Sequence, residues 1–122
     1  MTECYLRGVR DEKHETLSAC PALAAAFALL GKRWSALIVD VLAGRPARFG
    51  ELQRAIPGLS ERLLAERLRE LHTHGLVERA SGTGRAVVYD LTPLGIRLVP
   101  ALDEIRTWAR ELELVGSGRE PG

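Results

Sequence analysis

At Leu76 the hydrophobic period of this chain changes from 3.6 residues to 2. Upstream, Leu64, Leu68 and Leu71 recur at three- and four-residue spacing, the mark of an amphipathic helix. Downstream, Leu76–Arg79 and Ala86–Leu91 read as two strands, with ASGTGR as the turn between them. Thr92-Pro93 then opens another helix, striped by Leu94, Leu98, Leu102, Ile105, Ala109 and Leu112. Pro100 lies inside that stripe and lacks an N–H, so a kink or a split is expected there. The chain therefore reads as mainly α with one small β-hairpin.

The segments before Leu64 have equally local signals. Pro21 suits the first position of a helix starting near Cys20, where a missing N–H costs nothing. Leu23, Phe27 and Leu30 form its stripe among alanines, and Gly31 is expected to end it in a left-handed cap. Such an Ala-rich helix can approach a partner subunit closely. A second helix is expected from Trp34 to Ala43, with Leu37, Ile38, Val41 and Leu42 inward and Gly44 as the stop. A third, short one covers Phe49 to Ala55, with Phe49 and Leu52 inward. Pro57-Gly58 is turn chemistry. Ser60 is then an N-cap for the fourth helix, with Glu61 in its first turn and Gly75 at its end.

A helix, a turn, a longer helix and a hairpin make a winged helix-turn-helix, whose second helix lies in the major groove of DNA. At 100° per residue, Leu68 and Leu71 fall within about 40° of Leu64, while Arg62, Glu66, Arg69 and Thr73 fall within about 40° of the opposite direction. Arginine bonds guanine O6 and N7, and a carboxylate accepts from cytosine N4, so Ser60, Arg62, Glu66 and Arg69 are the candidate base contacts. The bland alternative is a solvated face on which Glu66 bridges Arg62 and Arg69. Lys32, Arg33, Arg48 and Arg54, near helix starts and loops, are candidate phosphate contacts. Arg85, at the hairpin tip, is the candidate wing contact.

Charge supports this placement where the total does not. The net charge of the 122 residues is +1, yet residues 32–85 hold ten Lys/Arg against six Asp/Glu, and the flanks are slightly acidic. A locally basic surface is what phosphate contact requires. A chain of this length is one domain, expected over 20–114, with an N-terminal arm over 1–19 and a frayed tail over 115–122. No stretch approaches the roughly 20 apolar residues of a membrane span, and the charged start lacks a signal peptide's apolar core, so the expected location is cytoplasmic. Cys4 and Cys20 are then expected to be reduced at rest.

Residues 20–112 resemble the HxlR-type family of bacterial regulators. The resemblance is carried by Cys20-Pro21, Gly31-Lys32-x-Trp34, Arg48-Phe49-x-Glu51-Leu52, Ile56-Pro57-Gly58-Leu59-Ser60, Leu68-Arg69-x-Leu71, Gly75-Leu76-Val77-x-Arg79 and Tyr89-x-Leu91-Thr92-x-x-Gly95. It implies a winged helix, a homodimer made by the first and last helices, and repression or activation of genes, with repression the expectation. It places DNA contact on the helix beginning at Ser60 and on the wing. Family wings are commonly longer and proline-rich, whereas this one is short and glycine-rich, which weakens the case for Arg85. Cys20 matches a cysteine that senses oxidants or electrophiles such as quinones in some relatives. A helix N-terminus lowers a thiol's pKa, and the thiolate is the reactive form, so Cys20 is the redox candidate.

Other chemistries fit less well. Cys4, His14, Cys20, His72 and His74 match no zinc spacing, so no metal or other cofactor is expected. No phosphate loop, HExxH or nucleophile elbow is present, which speaks against an enzyme. Two alternatives stay open: a DNA-binding regulator that is small-molecule-responsive or constitutive, with no redox role, and a winged helix used only for protein contacts. Phe27, Trp34 and Trp108 are candidates for an effector pocket between subunits, packing being the simpler role.

Overall fold

A computed structural model describes residues 17–81, 84 and 86–116. Most of the arm, nearly all of the tail, Cys4, His14 and Arg85 lie outside the described residues. Helix α1 spans Pro21–Leu30, α2 Ser35–Gly44, α3 Phe49–Ala55 and α4 Glu61–Thr73. Strands β1 (Val77–Ser81) and β2 (Val87–Leu91) follow, then α5 (Pro93–Gly116). The strands pair antiparallel, with Val77 opposite Leu91 and Arg79 opposite Tyr89. Among the described residues no single helix is long and apolar enough to cross a membrane.

The core gathers aliphatic side chains from each central element. Ile38, Val39, Leu52, Leu64 and Leu71 are fully buried, and Ile56, Leu59, Val77 and Leu91 close around them. Burying one such side chain contributes about 1.5–3 kcal/mol. Helix α2 is rotated from the expected setting: Val39 is inside and Leu37 is half exposed. Because Leu37, Ile38, Val39, Val41 and Leu42 leave little polar contrast around α2, the spacing does not select a face. Ala47 adds a pairing that periodicity does not show. Its N–H donates to Tyr89 O at 3.0 Å and its O accepts from Tyr89 N–H at 2.8 Å, tying the loop before α3 to the hairpin.

Three motif residues have clear structural work. Thr92 caps α5: its hydroxyl accepts from Gly95 N–H at 3.1 Å and donates to the Gly75 carbonyl. At Gly95 an added Cβ would sit 2.3 Å from Leu76 O, so only glycine lets α5 lie this close to the hairpin. Gly31 is not left-handed, with φ −76°; its need is space, since a Cβ there would meet Phe27 O at 2.4 Å. Helix α5 runs through Pro100 as one helix of 24 residues and is not split, since a proline removes only one ladder bond. Arg106 holds Asp103 on its own helix and Asp40 on α2, joining the two.

Candidate nucleic-acid interface

Helix α4 begins as its sequence dictates. Ser60 has extended backbone, and its Oγ accepts from Leu63 N–H at 3.1 Å. That satisfies one orphan donor. Leu64, Leu68 and Leu71 are buried, which turns Arg62 and Arg69 to solvent. Among the described residues neither arginine has an ion-pair partner. Glu66 does not bridge them; its nearest cation is Arg67, at 3.7 Å. The outer face of α4 thus carries two unpaired guanidiniums and one half-exposed carboxylate.

The other expected cations are in different situations. Lys32 Nζ pairs with Glu70 Oε2 at 3.0 Å, and the Arg33 guanidinium lies 4.4 Å over the Trp34 ring. Arg48 precedes α3, where its backbone N–H donates to Glu51 Oε1 at 2.8 Å. Arg54 is exposed in the last turn of α3. Arg45, which periodicity does not single out, holds Glu51 Oε2 at 2.9 Å. The Arg45 hydrogen bond first, then the Arg48 N–H, keep the Glu51 carboxyl down at about 2. Arg67 was likewise invisible in the spacing, because the contact that fixes it lies 34 residues earlier: its Nε donates to Arg33 O at 2.9 Å.

The turn into α4 rests on an unusual pair. Trp34 caps α2 with φ +84°, a left-handed conformation that costs a side-chain-bearing residue about 1–2 kcal/mol. Gly58, at φ +89°, has the Trp34 ring 3.4 Å from where a Cβ would be. The Trp34 ring therefore packs on the turn. Helix α1 and the start of α5 form a groove of about 510 Å³, lined by residues such as Ala26, Leu30, Leu94 and Leu98. His72 and His74 each place Nδ1 on a backbone carbonyl, Val77 O at 3.0 Å and Glu70 O at 2.9 Å. Cys20 caps α1, its Sγ accepting from Leu23 N–H at 3.4 Å. It is disulfide-bonded in this structure, and a disulfide sulfur still serves as a cap acceptor.

Residues 29–114 match the HxlR-like helix-turn-helix family. The chain belongs to that family. Among its relatives, YodB of Bacillus subtilis, an HTH-type transcriptional regulator, is 45% identical over 92 residues, covering 74% of this chain and 82% of YodB. The structure of reduced B. subtilis YodB superposes with a TM-score of 0.68 at 42% identity, over 75% of this chain and 92% of that one. Quinone-bound YodB gives 0.68 at 43% identity, over 75% and 99%. The chain is accordingly a DNA-binding transcriptional regulator of the HxlR type with a winged helix-turn-helix fold, and the relatives it matches are regulators rather than enzymes.

Proposed function

We propose that the protein acts as a homodimeric, sequence-specific repressor that reads base edges with the outer face of α4 and is switched by oxidants or electrophiles at Cys20. The observation that carries the reading is the pair Arg62 and Arg69, exposed on a well-capped helix and unpaired among the described residues. Two arginines aimed at solvent cost little to hold, and guanine O6 and N7 offer each a bidentate partner. Ser60 and Glu66 complete the reading face. Arg48 and Arg54 position the protein on phosphate.

The dimer is supported by apolar surface left uncovered on α1 and α5. Leu23 and Phe27 on the first, and Leu94, Ile105, Trp108 and Leu112 on the second, are all about half exposed. Exposed apolar stripes of that kind are surface a partner would cover. Two-fold symmetry then sets the recognition helices roughly 34 Å, one DNA turn, apart.

The switch is supported by the place of Cys20 at the start of α1, within the dimer face, and by the quinone-bound form of YodB. Disulfide formation takes two electrons from two thiols to the oxidant and releases two protons. A quinone instead accepts the thiolate sulfur on a ring carbon and becomes the hydroquinone thioether. Either change alters the packing at the start of α1 and thereby the spacing of the two reading helices.

Fluorescence anisotropy with duplex from the upstream region, at two salt concentrations and with and without quinone, tests this. Salt-sensitive binding that quinone weakens in wild type but not in Cys20→Ser is expected. Equal responses in both proteins would remove Cys20 from the mechanism, and binding no tighter than to random duplex would remove sequence-specific reading.

A further inference from the structure

We infer that the loop Gly31–Trp34 is a brace for the reading helix and that Arg67 is the positioning residue at its centre, so that Lys32 serves DNA binding through α4 and not by touching phosphate. This rests on α4 being the reading helix, as proposed above.

Separate contacts join the loop to α4 across more than thirty residues of sequence. Lys32 Nζ meets Glu70 Oε2 at 3.0 Å. Arg67 Nε donates to the Arg33 carbonyl at 2.9 Å. Arg67 also lies 3.6 Å from Glu70 Oε1, which closes a triangle of two cations around one carboxylate. That Oε1 is buried without a hydrogen bond, so Arg67 is what offsets its charge. Beyond the triangle, Trp34 packs on Gly58, in the turn that leads into α4. The same four loop residues therefore hold both the turn before the helix and its second half.

The helix divides its arginines by chemistry. The Arg67 side chain is 14% exposed and spends its fork inside the protein, Nε on a backbone oxygen and a terminal nitrogen beside a carboxylate. Lysine, a compact point charge, lacks the fork that spans the two acceptors. Arg62 and Arg69 stay exposed on the opposite face. At about 1.5 Å per residue, α4 is roughly 20 Å long. A small tilt at Arg67 therefore displaces Arg62, near the far end, relative to a base edge. Lys32 and Arg33 look like phosphate contacts in the sequence because they are basic and follow a helix. In the fold Lys32 faces a carboxylate of α4, and Arg33 stacks on the ring that supports the turn.

Salt dependence separates a brace from a phosphate contact, because each lost phosphate contact lowers the slope of log affinity against log salt by about 0.9. Duplex affinity is measured across salt for wild type, Lys32→Gln, Arg67→Lys and Arg62→Ala, with thermal unfolding of each free protein as the folding control. Lys32→Gln and Arg67→Lys are expected to weaken binding about fivefold to tenfold, in line with the net loss of one ordinary hydrogen bond, and to leave the slope at the wild-type value. A slope reduced by about 0.9 in Lys32→Gln would overturn the brace, as would unchanged affinity in a folded Arg67→Lys. If Arg67→Lys does not fold, Lys32→Gln decides alone, since its side chain is half exposed. Wild type without salt-sensitive binding would instead overturn the DNA reading, and the brace with it. Salt-sensitive wild type with an altered Lys32→Gln slope would overturn the brace alone.

Discussion

The centre of the molecule and its two terminal helices bury their leucines very differently. In α2–α4, Ile38, Leu52, Leu64 and Leu71 are fully inaccessible. In α1 no residue is buried, and in α5 Leu102 is the large residue that reaches the core. Phe27 keeps 53% of its surface, Trp108 59% and Leu112 54%. All are apolar stripes of helical period, so the pattern alone does not distinguish them. A stripe shows that a helix has an inward face, but not whether inward means this chain or a second copy. The centre is covered within one chain, whereas the ends leave apolar surface that the proposed dimer would cover.

Substitutions at matched positions sharpen that contrast. Leu64→Ala is expected to cost about 2–5 kcal/mol of unfolding free energy, read as a lower urea midpoint at every protein concentration. Trp108→Ser is expected to leave the midpoint of dilute protein nearly unchanged and to lower it only where wild type is dimeric. Equal losses in both at all concentrations would break the division between centre and ends. Gly95→Ala is the next largest effect. The added Cβ must push α5 off the Leu76 carbonyl, at a cost of about 1–3 kcal/mol, seen as a lower melting temperature. Ser60→Ala removes the cap of α4 and should cost about 1 kcal/mol, with a larger loss of hydrogen-exchange protection at Leu63 than anywhere in α5.

The smallest effect concerns pH. The Glu51 carboxyl is held down at about 2 by Arg45 and the Arg48 N–H, against 4.5 when unfolded. A depressed carboxylate stabilises above its unfolded value, and that contribution is lost as pH falls from 4.5 towards 2. The urea midpoint of wild type should therefore fall slightly more steeply over that window than that of Glu51→Gln. Parallel curves would show that the Arg45–Glu51 contact does not persist in solution.

Features legible in the sequence are those whose causes are local. Ser60 and Thr92 cap helices, Pro21 opens one, and Leu64, Leu68 and Leu71 face the core, because each depends on neighbours within four residues. The strands begin one residue later than their pattern suggests, at Val77 and Val87. What the pattern does not contain is tertiary. The choice of Val39 over Leu37 depends on what packs against α2. The left-handed Trp34 packs its ring beside Gly58, 24 residues away. On α4, Arg62, Arg67 and Arg69 are chemically alike, and only the fold buries Arg67 against Arg33 while leaving the other two exposed.

The claim that the outer face of α4 reads bases is tested most directly by a base-substitution profile of the operator for wild type and Arg62→Ala. Binding of every single-base variant of one half-site would be measured at fixed salt. The reading predicts that Arg62→Ala loses about 1–3 kcal/mol on the native site and becomes indifferent at one base pair, its preferences elsewhere unchanged. Uniform weakening with every preference intact would mean that Arg62 touches phosphate, and unaltered binding would mean that this face does not meet DNA.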